Sequence, residues 1–313
     1  RYPGKVPEEP KNEQKQTMAA PSRGRGRGRG LLQRELPVVG QGGDSDAKTS
    51  KPPKSAQNVD GAAGDGGGGG GGSRGSGSSG GICLKDMEDM LSSLALDISE
   101  QDLTNIYQLA ESSVKDDKDL KILALMIYKK CMIDREFAKS GACICYKLSN
   151  LEAKGAKFRS ALLSLVQNDF TVREEIRTSS KSKYLSFFTL MCQLYGIMKT
   201  ASGESLRVLV APIYDCLELM LNTQGADDDD ELECLSLQLQ SIGKELEGHD
   251  KARMTRLLEK IRTKIIRDGC SAQTRCTLLE LVECYCRGWR QIPNDVTRFY
   301  CDTMADILAG MVI

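Results

Sequence analysis

Residues 206–247 read LRVLVAPIYDCLELMLNTQGADDDDELECLSLQLQSIGKELE. Apolar residues fall at Leu206, Leu209, Ile213, Leu217, Met220 and Leu221 in the first half, and at Leu232, Leu235, Leu239, Ile242 and Leu246 in the second. Steps of three and four put such residues on one face of an α-helix. Glu233, Ser236, Gln240, Lys244 and Glu247 take the other face of the second helix, which is therefore amphipathic. Between the two lie Asn222, Gly225 and the acidic run Asp227–Asp230. Carboxylates just ahead of a helix cap its free N–H groups and complement its positive end. The stretch predicts an αα-hairpin with an acidic connection, read as a solvated loop that caps the second helix. Neither helix can bury its stripe alone, so further hairpins must stack on this one.

The same period recurs along the chain. A helix is expected after Ser99, with Asp102 completing a capping box, and another opens at Asp116–Asp119, with Ile122, Leu123, Met126 and Ile127 on its stripe. Asp134 opens a helix carrying Phe137, Ala142, Tyr146 and Leu148, which Gly155 breaks. Phe158–Phe170 and an apolar helix from about Ser182 to Ile197 follow. Pro212 is expected to kink the next helix. Later stripes run through Met254–Ile266, Leu278–Trp289 and Val296–Leu308, the last with Phe299 on it. Leu84–Leu94 reads as a short helix or a segment that folds on a partner. No run has the alternation of a convincing strand.

Ten helical patterns group into five pairs, whose first helices begin near 99, 135, 180, 229 and 271. Repeats of helix pairs have periods of about 40–47 residues. The expected fold is all-α, a HEAT-like α-solenoid of about five antiparallel helix pairs. A layered bundle is the alternative, and explains the spacing less well.

Residues 1–82 differ in kind. They hold 21 of the 31 glycines, 7 of the 9 prolines and a single aromatic, Tyr2. Too little apolar surface is available to offset the chain entropy, so this part reads as a disordered basic tail and linker ahead of a helical domain at 83–313. The balanced total of 43 basic and 43 acidic residues hides a split: 13 basic against 8 acidic in 1–82, and 30 against 35 beyond. Met18-Ala-Ala-Pro21 fits a natural start. No apolar segment has signal or membrane-spanning length. A cytosolic or nuclear compartment with reduced cysteines is expected, cytoplasmic with a perinuclear position open.

Catalytic chemistry is sparse. The one histidine, His249, sits in a Gly-His-Asp stretch read as a solvated turn. Gly77–Gly81 matches a nucleophile elbow only within Gly/Ser low complexity, and no Lys-Ser/Thr follows a glycine loop. Cys143/Cys145 and Cys284/Cys286 are i,i+2 pairs, which point apart on a helix, and no C-x-x-C pair occurs. The cysteines read as small buried hydrophobes, with no metal and no cofactor expected. Arg23, Arg25, Arg27 and Arg29 form an RG repeat. Mobile guanidinium groups bind phosphate and stack on bases, so the tract is a candidate RNA-binding element; a spacer is the equal alternative. Candidate partner-binding cations are Lys154, Lys157, Arg159 and Arg173 on the second pair, and Arg253, Arg256, Arg262 and Lys264 on the fourth.

Several segments resemble a known family. Phe158-Arg-Ser-Ala-Leu-Leu163, Gln167-Asn-Asp-Phe170, Val208-Leu-Val-Ala-Pro-Ile-Tyr-Asp-Cys-Leu217 and Leu237-Gln-Leu-Gln-Ser-Ile-Gly-Lys-Glu-Leu-Glu247 are similar to the middle domain of translation initiation factor 4G as found in small scaffold proteins. Asp134–Ala138 and Leu279–Glu283 with Trp289 extend the likeness to about Ser99–Leu308. The resemblance implies a crescent of five HEAT-like pairs, no enzymatic activity, and a scaffold joining messenger ribonucleoprotein to the translation machinery. It implies as partners the multisubunit initiation factor 3 and the nuclear cap-binding complex. The short low-complexity N-terminal region departs from the relatives that carry the cap-complex contact on a long one. The alternatives it implies are an adaptor for one RNA-binding protein, such as the histone stem-loop-binding protein, and a regulator of a DEAD-box helicase.

Overall fold

The computed structural model describes residues 84–200, 202–222, 228–267 and 269–311. The expected tail and its RG repeat lie outside them. Twelve α-helices occur among the described residues: α1 (Leu84–Ser93), α2 (Glu100–Ser113), α3 (Asp117–Ile133), α4 (Ala138–Lys147), α5 (Phe158–Thr171), α6 (Arg173–Ser179), α7 (Lys181–Ile197), α8 (Val210–Leu221), α9 (Asp229–His249), α10 (Lys251–Ile266), α11 (Ala272–Cys286) and α12 (Asn294–Leu308). The first helices of the five pairs are α2, α4, α7, α9 and α11, and they form one continuous row: α2 on α4, α4 on α7, α7 on α9, α9 on α11. Among the second helices, α3 lies beside α5 and α8 beside α10, which makes the other layer. The chain is an all-α stack of helix pairs, as the period of the sequence requires.

Caps explain where the helices start. Ser99 and Asp102 exchange hydrogen bonds in a capping box ahead of α2. Asp116, Ser180, Asp228, Asp250 and Ser271 each accept a backbone N–H at the start of α3, α7, α9, α10 and α11. Helix α7 is the centre of the stack. Eleven of its residues between Tyr184 and Tyr195 are buried, and it packs on α3, α4, α6, α8 and α9. A helix apolar on every side belongs inside a fold, and each such Leu or Phe contributes about 1.5–3 kcal/mol by leaving water. Buried tyrosines cross the pairs: the Tyr184 hydroxyl donates to the Cys216 carbonyl at 3.3 Å, and Tyr214 to the Asp250 carbonyl at 3.1 Å.

Five readings of the sequence are corrected. Pro212 does not kink a helix, because α8 begins only at Val210, after a 3-10 turn at Arg207–Leu209. Pro212 then falls in the first turn, where a missing N–H breaks no intrahelical bond. Gly155 does not break α4, which ends at Lys147; Gly155 (φ 82°) and Lys154 (φ 49°) form the left-handed turn of a small hairpin. Its strands, β1 (Glu152–Ala153) and β2 (Ala156–Lys157), pair antiparallel and are too short for a period to register. The short helix read at Leu84–Leu94 is α1, and the one helix not expected is the short segment α6. Finally, Ile122, Tyr146, Phe299 and Leu308, read as stripe residues, are exposed.

Candidate protein-docking surface

The basic residues singled out in the sequence divide into those absorbed by the fold and those left at its surface. Arg253 is absorbed. Its guanidinium lies over the Tyr214 ring at 5.1 Å and bonds to both Asp215 and Glu218 of α8. Lys260 reaches Glu218 from two turns further along at 3.1 Å, so α8 and α10 are joined by an ionic ladder. The Glu218 carboxylate is pushed up by its partial burial, but the hydrogen bonds from Arg253 and Lys260 outweigh that and hold it below its ordinary value. Lys264, expected at the surface, is buried. Arg159 donates to the Lys199 carbonyl at 3.1 Å. Arg173 stacks on Phe170 at 4.4 Å and donates to that residue's carbonyl. Lys154, Lys157, Arg256 and Arg262 remain exposed. Lys157 has only a loose ion pair with Glu152 at 4.0 Å, and Arg262 leans on Tyr285 at 5.8 Å. The two exposed groups stand on different pairs, on the α4–α5 hairpin and on α10.

The acidic run caps α9, as expected, but its described residues are also tied to neighbouring helices. Asp228 caps α9 and, with Asp230, holds Lys181 at the start of α7. Asp229 accepts from Ser271 and Thr274 at the start of α11, at 2.8 and 2.6 Å. Glu231 takes both arms of Arg177 on α6, at 2.7 and 2.5 Å, with only 4% of its side chain exposed. Consecutive acids at one helix end therefore join three neighbouring pairs. Sequence reading missed this because their partners lie some 40–55 residues away. Asp227 is outside the described residues.

His249 is not a solvated turn residue. It is the last residue of α9, its Nδ1 lies 2.8 Å from the Tyr195 hydroxyl and 3.0 Å from the Glu245 carbonyl, and its ring meets Tyr195 edge-on. These are contacts of a helix terminus, not of a base beside a nucleophile. Among the described residues no three His, Cys, Asp or Glu side chains gather as a metal site. Burial pushes the thiols of Cys131 and Cys216 up to about 12 and that of Cys284 up to about 11, away from the range in which a thiolate forms. Gly243 serves close packing: a Cβ there would stand 2.5 Å from Trp289. Among the described residues no helix is long and apolar enough to cross a membrane.

What the architecture offers is helix faces and turns on a rigid stack, the usual binding surfaces of solenoids. The chain is 34% identical over 218 residues to the CBP80/20-dependent translation initiation factor of Xenopus tropicalis, a match covering 69% of this chain and 37% of that protein. The chain thus spans little more than a third of that relative. It is 28% identical over 204 residues to MIF4G domain-containing protein A of Danio rerio, covering 63% of this chain and 94% of the relative. It is 29% identical over 201 residues to the MIF4G domain-containing protein of Homo sapiens, covering 62% and 90%. The MIF4G domain pattern matches residues 84–284, from the first turn of α1 to the last of α11. A helical stack matched over nearly its whole length makes this chain a member of the MIF4G domain family.

Proposed function

We propose that this chain is a non-enzymatic adaptor in translation initiation. It would use its helical stack to bridge cap-bound messenger ribonucleoprotein and the initiation machinery. The observation that carries this reading is the match of the MIF4G domain to α1–α11 together with the likeness to a CBP80/20-dependent translation initiation factor. The partners we infer are the nuclear cap-binding complex and the multisubunit initiation factor 3, in the cytoplasm. The Arg23–Arg29 repeat would add weak, salt-sensitive affinity for messenger RNA. A reporter assay tests this: tethering the full chain to a messenger RNA raises its translation if the reading holds. No effect of the tethered chain, with no initiation factor retained on it, sinks it.

A second reading has its own support. The single-domain relatives are covered over 90–94% of their length. An adaptor dedicated to one RNA-binding protein, such as the histone stem-loop-binding protein, needs no more than such a domain. Retention of that protein by the full chain, in place of initiation factors, decides for this reading.

A further inference from the structure

Among the described residues, one side of helix α3 lies largely outside the core, with Met126 at its packed edge. Lys118, Ile122, Leu125, Met126, Lys129 and Ile133 fall within one side of the helix. The opposite side, with Leu120, Leu123, Ala124, Ile127, Tyr128 and Cys131, is buried against the stack. Ile133 is 87% exposed and Ile122 45%, while Leu125 and Met126 are half-buried between them. A single exposed isoleucine needs no explanation. Ile122, Leu125 and Met126 stand at the i, i+3 and i+4 spacing by which helices dock, Lys129 takes i+7, and Ile133 extends the row to eleven steps, about 16 Å of helix. The helix is cationic beyond its first turn: residues 120–133 contain three lysines and no acid, while Lys118 stands among Asp116, Asp117 and Asp119. Lys121 is paired with Asp117, and Lys130 lies over Phe137. Lys118 and Lys129 form no ion pair among the described residues.

We infer that this face docks an acidic amphipathic helix of a partner protein. The partner's apolar row sets against Ile122, Leu125, Met126 and Ile133, and its flanking carboxylates meet Lys118 and Lys129. Isoleucine offers no aromatic surface on which a base can stack, which disfavours RNA. A second copy docked in parallel through the same face would set Lys129 against Lys129 with no carboxylate between 120 and 133 to meet them. The inference goes beyond the translational reading, since it concerns the chemistry of a partner in any pathway.

Fluorescence anisotropy on the full chain tests it. The probe is a labelled synthetic helix of about 18 residues, with leucines at i, i+3, i+4 and i+7 and glutamates on both flanks. Controls are its scrambled sequence, the same pattern with lysine for glutamate, and an oligouridylate. The acidic helix is expected to bind saturably and the scrambled peptide is not. Ile133→Ser and Lys129→Glu should each weaken binding by about tenfold or more without moving the thermal melt, because both side chains are exposed. Lys129→Glu should gain affinity for the lysine-flanked peptide. The inference is overturned if the acidic helix does not bind or the scrambled peptide binds as well. Oligouridylate binding that Lys129→Glu abolishes, or a dimer in light scattering that Ile133→Ser splits, also overturns it. A chain that activates translation when tethered yet ignores the acidic helix would sink this inference alone.

Discussion

The ring of Trp289 stands where a side chain on residue 243 would be, with its Cζ3 2.5 Å from the position of a Cβ there. The indole Nε1 donates to Glu247 of the same helix at 2.8 Å, and Tyr285 meets the ring edge-on. Trp289 holds a left-handed backbone conformation, φ 61°, to reach this seat. Such a conformation costs a bulky residue about 1–3 kcal/mol, which the seated ring offsets.

Gly243→Ala sets two effects against each other. Alanine is favoured over glycine inside a helix by about 1 kcal/mol. Forcing a methyl into a space held by an anchored ring costs about 1–3 kcal/mol. The overlap should win and the melting temperature should fall. Trp289 is the only tryptophan, so its emission reports the displacement directly as a red shift. An unchanged spectrum with a raised melting temperature would place the ring elsewhere.

The Arg177–Glu231 pair fastens α6 to α9 with two parallel hydrogen bonds. Arg177→Met leaves a buried carboxylate without its fork and should destabilise by about 3–5 kcal/mol in urea unfolding. Adding Glu231→Gln should recover part of that loss. Arg177→Lys should not substitute well, since an ammonium cannot make the bidentate contact.

Arg253 and Arg256 should behave differently although both lie on α10. Arg253→Ala breaks the ladder to Asp215 and Glu218 and should lower stability by about 1–3 kcal/mol. Arg256→Ala removes an exposed side chain and should stay within about 0.5 kcal/mol. Loss of partner binding in Arg256→Ala at unchanged melting temperature therefore reports a direct contact. In Arg253→Ala the same loss reports disturbed packing.

Glu218 ties stability to pH. Its burial raises the pKa of the carboxyl group, but the bonds from Arg253 and Lys260 prevail and the folded pKa lies below its ordinary value of 4.5. A depressed acid stabilises the fold above its unfolded pKa, and that contribution disappears as pH falls through the folded value. Melting temperature should therefore drop on acidification below about pH 4.5, and Glu218→Gln should shallow the drop. A steeper acid limb in that variant would contradict the ladder.

Thiol labelling should follow burial. Cys286 and Cys301 are exposed and should react with iodoacetamide in the native protein at mildly alkaline pH. Cys131, Cys145, Cys192 and Cys216 are buried and their thiols raised by desolvation. They should label only after unfolding, as peptide mass spectrometry can read.

The periodic apolar residues determined most of the architecture by themselves. Steps of three and four, with Ser99, Asp116, Ser180, Asp228 and Ser271 at helix starts, are local signals. The first helices start within a residue or so of the expected 99, 135, 180, 229 and 271 wherever such a cap is present. The cysteines beside the stripes could likewise be read as packing residues. Pro212 and Gly155 were misread because their effect depends on where a helix begins and ends, which neighbours decide. The surface was beyond local reading altogether. Arg253, Lys264, Arg256 and Arg262 share one helix and one chemistry, yet Arg253 is drawn into a ladder, Lys264 is buried and the other two are exposed. Which charge meets a partner some forty residues away is set only when the helices stack. That contact lowers a charge's energy only in a particular three-dimensional neighbourhood, and no period along the chain encodes it.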